Sequence, residues 1–227
     1  MAERAKPTAD GKQRRMRRND RRQQIIDIAR KAFAEYGYFG SSIEYIAEEA
    51  GVSKPIIYDH FGDKEGLYSA VVDAEMKILT KMVFDAVRDV QDDVFSHLAR
   101  SALAILTYAE ERPLGFQIIA RFPRSYEPRD PGPWQPTLLD DFADRLAKEF
   151  RVVLTQFGHD PVTMGIYTHM IIGAVELATR WWGLHGGEHG ITKEQMAAFC
   201  TGFNWYGVDK LPLKPPPLPP METPDPE

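Results

Sequence analysis

The chain has 227 residues, a formal net charge of -5 and one cysteine, with 43% hydrophobic and 27% charged residues. At roughly 100–200 residues per domain this allows one or two packed domains and excludes wholesale disorder, while Cys200 alone excludes a disulfide framework or a cysteine-rich zinc site. No run reaches the roughly 18 apolar residues of a membrane span, and no apolar signal segment opens the chain, so a cytoplasmic protein without a membrane partner is expected.

Charge is unevenly distributed. Residues 1–22 carry nine Lys/Arg against three Asp/Glu, residues 23–68 four against eight, and the rest fifteen against twenty-two. A basic arm attracts phosphate by Coulomb forces and counterion release, although a solvated leader can carry the same charge. Residues 1–20 are polar, contain Pro7 and Gly11, and read as a flexible basic arm whose end is compatible with helix. Arg17, Arg18, Arg21 and Arg22 are its candidate DNA contacts.

Regular apolar spacing then begins with Ile25, Ile26, Ile28, Ala29, Ala32 and Phe33, which share one helical face, and Gly37 supplies a stop. A second helix is predicted over 42–50, with Ser42 as N-cap, Ile43, Ile46, Ala47 and Ala50 inward, and Glu44 near the first backbone donors. After a tight 51–53 connection, a third helix spans 54–60, capped by Ser53, with Pro55 in its first turn. Ile57 and Phe61 point to a small core, whereas Ile56, Tyr58 and His60 face elsewhere. Two short helices around a glycine turn fit a DNA reader or a plain αα-hairpin; the adjoining basic arm favours the reader.

The ordered run Phe33-Ala34-Glu35-Tyr36-Gly37-Tyr38, Ser42-Ile43, Ile46-Ala47, Ala50 to Phe61, then Lys64-Glu65-Gly66-Leu67 resembles the tetracycline-repressor (TetR) family over about residues 22–70. The resemblance implies an all-α protein: a three-helix helix-turn-helix head over 21–66, then a helical ligand-binding and dimerisation domain over 67–210. It further implies phosphate contacts from Ser42, Tyr58 and Lys64, exposed recognition positions at Lys54, Ile56 and Tyr58, His60 at the aromatic-rich helix end, and core roles for Ile57 and Phe61. Pro55 stands where the family often has Gly and stiffens the helix entrance. Ile56 replaces a frequent Thr; it can touch a thymine methyl but cannot donate a hydrogen bond to a base.

Further helices are predicted over about 64–90, 92–111, 114–122, 137–157, 162–184 and 192–208. A proline-rich connection over 123–136 separates the third from the fourth of these, and a proline-rich extended tail over 211–227 follows the last. In the last pair of helices, Gly173, Ala174 and Ala178 permit close approach, while Met170, Leu177, Trp181, Met196, Phe199, Phe203 and Tyr206 supply area. These residues suit a two-fold helical interface or an intramolecular core, and the resemblance implies a homodimer. Leu103, Phe116, Ile119, Phe122, Phe142, Leu146, Phe150, Met170 and Trp181 come from several helices that can surround an apolar effector, such as a bulky hydrophobic molecule or an acyl chain; core packing explains each more simply. Glu176 and His169 are candidate polar pocket groups, with a salt bridge the plainer role for Glu176.

No catalytic constellation, cofactor motif or metal set stands out. Asp140, Asp141 and Asp144 fit a solvated face, His185 and His189 lack further ligands, and Cys200 fits a core position. The Gly-rich stretch over 183–190 follows a helix and lacks the Gly-Lys-Ser/Thr arrangement of a phosphate loop. The expectation is therefore a non-enzymatic, ligand-responsive transcriptional regulator: a repressor that binds double-stranded operator DNA and is released by a hydrophobic small molecule. The alternatives are a structural helical interaction protein or a small-molecule-processing enzyme.

Overall fold

A single helix, α1 (Ala9–Gly40), opens the structure. The computed structural model describes residues 9–88, 93–121, 142–144, 147–148 and 161–208, with α1 side chains described from Arg18 onward. Residues 9–20, expected within a flexible arm, are thus helical. The stretch from Lys12 to Tyr36 is rich in Arg, Lys, Gln and Ala and free of Gly and Pro, so nothing in it stops a helix propagating backwards. Gly37 (φ 71°, ψ 176°) breaks the helix at the expected position, and a last short turn follows.

Three helices follow in close succession: α2 (Ile43–Glu49), α3 (Lys54–Phe61) and α4 (Lys64–Ala86). Ser42 caps α2, its hydroxyl accepting from the Tyr45 N–H at 3.1 Å, and Asp63 caps α4 by accepting from the Gly66 N–H at 2.7 Å. Ser53 precedes α3 with extended backbone but makes no side-chain cap bond. Pro55 has no N–H to offer, and the Ile56 N–H goes to the Ser53 carbonyl instead. Ile25, Ile26, Ala29 and Phe33 of α1 meet Ile46 of α2, Ile57 of α3, and Leu67 and Val71 of α4 in a fully buried core. Phe61, expected inside with Ile57, is only partly buried at its edge.

Helix α5 (Val94–Glu111) is capped by Asp93 and packs against α4 on one side; α6 (Pro113–Arg121) turns back to touch both α1 and α4. The two last described helices, α7 (Pro161–His185) and α8 (Lys193–Val208), pack on α5 and on each other. Burial runs without a break from the first helices into α5, α7 and α8, so head and body share one apolar cluster. The described residues form helices, turns and connections, with no strand among them, which makes the fold all-α. No helix among them is long and apolar enough to cross a membrane. Residues 142–144 and 147–148 are helical within the predicted 137–157 span. Phe122, Leu146, Phe150, the 123–136 connection and the 211–227 tail lie outside the described residues.

Candidate functional site

Helix α3 offers solvent a mixed face. Ile56 and Tyr58 are 40% and 45% exposed, large values for such side chains, while Ile57 between them is fully buried. One helical turn therefore divides its residues between holding the head together and presenting a readable edge. Lys54 is exposed and ion-paired with Glu44 of α2, and that hydrogen bond holds the Glu44 carboxyl below its ordinary value. Glu44, expected to serve the first backbone donors of α2, thus bridges α2 and α3 as well.

Alongside α3 runs the basic end of α1. Arg18 reaches Asp59 of α3 at 3.3 Å, both side chains being exposed, Arg21 donates to Gln24 at 3.2 Å, and the Arg22 guanidinium lies 5.0 Å from the centre of the Phe61 ring. Burial, followed by the charges of Arg18, Arg22 and Arg21, holds the His60 imidazole below its ordinary value, against the opposing pull of Asp59. These residues form a cationic rim around the end of α3. The Arg17 side chain lies outside the described residues. Ser42 is half-buried, its hydroxyl engaged in the α2 cap. Lys64, expected to face phosphate, is turned inward: its ammonium donates to the Ser41 carbonyl at 2.7 Å and sits 4.7 Å from the centre of the Tyr38 ring, and burial pushes its pKa down. Its four-carbon stem reaches back to the uncapped end of α1, where a carbonyl is available.

The residues expected to line one pocket do not converge. Ile119 and Phe142 are buried in the common core, and Leu103 is on the outer side of α5. The ring of His169 approaches the Gly165 carbonyl at 2.8 Å, and Glu176 lies 3.8 Å from Arg180 on its own helix. Met170 and Trp181 sit on the exposed side of α7, where Trp181 stacks on His189. Only Phe116 of the described set lines a cavity between α5, α6 and the end of α7. That cavity is a groove of about 320 Å³ shared with Pro113, Gln117, Thr179, Arg180 and Trp182. Among the described residues the buried Thr179 hydroxyl has no hydrogen-bond partner. Periodicity assigned these residues to a helix face but could not say which neighbour that face would meet.

The outer faces of α7 and α8 are strongly apolar. Val162, Ile166, Met170, Leu177 and Leu184 of α7 are 50–75% exposed, as are Phe199, Phe203 and Tyr206 of α8, and Gly173 lies in the same stripe. Ala174 and Ala178 are half-buried at its margin. Met196, expected in this interface, is instead buried beside Ala197 and Cys200. The i, i+1, i+4 spacing of that trio puts it on one face of α8, about a quarter-turn round the helix from the exposed Phe199 and Phe203. Burial raises the Cys200 thiol pKa, in keeping with a core residue.

The family model described as "Bacterial regulatory proteins, tetR family" matches residues 25–71, the segment that builds α2, α3 and their supports. Over these residues the chain is similar to the N-terminal domain of tetR-family regulators. It is 33% identical over 105 residues to the HTH-type transcriptional activator FasR of Mycolicibacterium smegmatis, covering 46% of this chain and 48% of FasR. It is 35% identical over 81 residues to the HTH-type transcriptional repressor AcnR of Corynebacterium diphtheriae, covering 35% of this chain and 43% of AcnR. The chain thus matches about half the length of these relatives. A putative TetR-family regulator from Syntrophomonas wolfei shares the fold, with a TM-score of 0.65, 21% identity and coverage of 85% of this chain and 97% of its own.

One polar centre of this chain is absent from the residues that periodicity and motifs single out. Glu75 of α4 is 1% exposed. It accepts from Arg30 of α1 at 2.9 Å, from Arg112 at 2.7 and 2.9 Å through a two-pronged guanidinium fork, and from the Tyr108 hydroxyl at 2.9 Å. Burial pushes its carboxyl up, but hydrogen bonds from Arg112, Tyr108 and Arg30 outweigh it, and the net shift is downward. The same contacts act in reverse on their donors: Arg112 is raised by the hydrogen bond to Glu75, and the Tyr108 hydroxyl is raised by burial and by the adjacent carboxylate. The signal was present in the sequence. Glu75 sits among Val71, Val72, Met76 and Leu79, and a carboxylate on an apolar stripe requires cationic partners. Their identity needed the fold.

Proposed function

We propose that this chain is a transcriptional regulator that binds double-stranded operator DNA as a homodimer and is released from it by an apolar small molecule. The observation that carries the reading is the α3 face: Lys54, Ile56 and Tyr58 point outward beside a rim of Arg18, Arg21, Arg22 and His60. An α-helix fits the B-DNA major groove, and a cationic rim beside it meets phosphate. In this reading residues 21–66 are the reading head, 67–210 the dimerisation and effector body, and 1–20 a basic lead-in that supplies Arg17 and its neighbours. Ser42 contacts backbone phosphate, and Lys64 contributes through its field and by bracing the α1–α2 junction. Glu44 and Asp59 occupy Lys54 and Arg18 in the absence of DNA; phosphates replace them on binding.

Dimerisation follows from the outer stripe of α7 and α8, where Leu177, Phe199, Phe203 and Tyr206 present a continuous apolar surface from two adjacent helices. Burying it against its symmetry mate makes a four-helix contact and places two heads on one face of a duplex. The effector occupies the groove at Phe116, where Ala109, Phe116 and Trp182 supply apolar wall and Gln117, Thr179 and Arg180 supply polar groups. It releases DNA only by preferring the state whose heads are wrongly spaced. Repression is the proposed sign, AcnR being a named repressor and FasR a named activator within the same family. No turnover is assigned to any site.

Genomic fragments retained by the protein, then bound at matched salt against sequence-scrambled competitors, test this directly. The expected result is preference for paired half-sites about one helical turn apart. Equal affinity for all sequences overturns it.

A further inference from the structure

We propose that Glu75 is a positioning residue that sets the angle between the reading head and the body, by holding Arg30 of α1 against Arg112 and Tyr108 of α5. This rests on the DNA-binding reading above and adds a mechanical element to it. The four side chains come from three helices and meet on one carboxylate that is 1% exposed. Apolar contacts between α1 and the body resist separation but tolerate sliding. The α1 side of this contact is one charge-assisted hydrogen bond from Arg30, and the two-pronged Arg112 fork fixes the plane of the carboxylate that receives it, so the position at which Arg30 docks is specified. Such buried pairs often add little net stability over an apolar equivalent, so their contribution here is geometric.

A fourth element is locked into the same point. A Cβ on Gly115, in the first turn of α6, would lie 2.1 Å from Glu75 Oε2 and 2.7 Å from the Tyr108 hydroxyl. Only a residue without a side chain lets α6 come this close to the carboxylate. The neighbouring α6 residues Pro113, Phe116 and Gln117 line the 320 Å³ groove. Movement of the first turn of α6 therefore acts on Glu75 through direct contact, and on Arg30 through one hydrogen bond. The lever is long enough to matter. Arg18, at the α3 rim, lies twelve residues from Arg30 along α1, or roughly 18 Å at helical rise. A rotation of about 10° about Arg30 carries the rim roughly 3 Å, close to the rise of one base pair.

The test uses full-length protein and an operator fragment recovered with the wild type, in three forms: native, lengthened by one base pair between half-sites, and a single half-site. Arg30→Met is expected to hold the single half-site within about threefold of wild type while its preference for native over lengthened spacing falls about tenfold. Arg30→Lys, which keeps one charged donor for Glu75, should recover most of that preference. Glu75→Gln should behave like Arg30→Met, with Tyr108→Phe as a milder variant should Glu75→Gln fail to fold. A merely structural network would weaken all three DNA forms in proportion to lost stability and leave the spacing ratio unchanged; that result overturns the proposal. A second readout needs no DNA. A spin label at Glu48→Cys, on the exposed side of α2, reports the head-to-head distance in the dimer, Cys200 being buried. Arg30→Met should broaden that distribution, and an unchanged distribution overturns the proposal. Wild-type protein without sequence preference would overturn the DNA-binding reading instead, leaving the distance measurement to decide the role of Glu75.

Discussion

The head and the α7–α8 layer draw on similar apolar side chains and use them in opposite ways. In the head, Ile25, Phe33, Ile46 and Ile57 are all 2% exposed or less, and the large apolar side chains that reach solvent, such as Phe39, Ile56 and Tyr58, stand among charged ones. In α7 and α8, small and medium residues such as Val175, Ala197 and Cys200 fill the inner face, while Leu177, Phe199, Phe203 and Tyr206 stand 64–75% exposed. A buried apolar residue already has its partners within the chain. A stripe of large exposed ones is a surface awaiting a partner, since scattered single exposures are ordinary but contiguous patches are not. The core of the head is completed by α4 within the chain; the outer stripe of the last two helices has no cover among the described residues.

The largest effect should come from breaking the complete core. Phe33→Ala removes a ring that packs edge-on against Tyr68 at 4.9 Å, and should cost roughly 3–5 kcal/mol of unfolding free energy. Denaturant unfolding followed by circular dichroism measures it; a loss below about 1 kcal/mol would show that the head core is loosely packed.

Phe203→Asp puts the same comparison to the other surface. With Phe203 75% exposed, the protomer should keep its helicity while the dimer dissociates at least about tenfold more readily, because an aspartate must then be desolvated at the contact. Met196→Asp, on the inner face of the same helix, should instead unfold the body. Sedimentation paired with thermal melts separates the two, and matching behaviour of both variants would erase the distinction between the faces.

On the head, the exposed polar groups should have smaller effects. Asp59→Asn frees Arg18 and removes a negative charge from the rim, so DNA affinity should rise about threefold at low salt, with the gain shrinking as salt is added. Tyr58→Phe should weaken binding by a similar factor across all half-site variants, since it removes a backbone contact and leaves base readout intact. Selective loss at one base would move Tyr58 into the base-reading group.

The smallest effect is proton linkage at His60. In the free protein burial and Arg18, Arg22 and Arg21 hold its imidazole below the ordinary value, outweighing Asp59, so it is neutral at pH 7. A DNA phosphate beside it favours the protonated form, so binding takes up a proton and affinity rises as pH falls toward the lowered value of the free imidazole. The expected gain between pH 8 and pH 6 is about twofold, and His60→Gln should flatten it. An unchanged slope in the variant would place His60 away from phosphate.

Read from the residues alone, the helices were legible because their signals are local. Apolar spacing in α1 and α2, Ser42 and Asp63 as caps, and Gly37 as a break depend only on neighbours three or four positions away. The α3 division between inward Ile57 and outward Ile56 and Tyr58 was legible for the same reason. The helical end of the basic arm was legible too, but α1 begins further back, at Ala9, because Arg, Lys and Gln propagate helices well.

The amino-acid sequence by itself determined the all-α fold, the order of the helices, the core of the head and the outward face of α3, since each follows from periodicity and capping within one element. Tertiary structure alone decided where the faces met. It sent Ile119 and Phe142 into the core, left Met170 and Trp181 outside, turned Lys64 toward Ser41 and Met196 toward α5, and gathered Arg30, Glu75, Tyr108 and Arg112 from positions up to 82 apart onto one carboxylate. The physical reason is that a helix records which residues share a side, whereas the partner of that side is chosen by chain reversals, and these place distant residues together at angles no local pattern encodes.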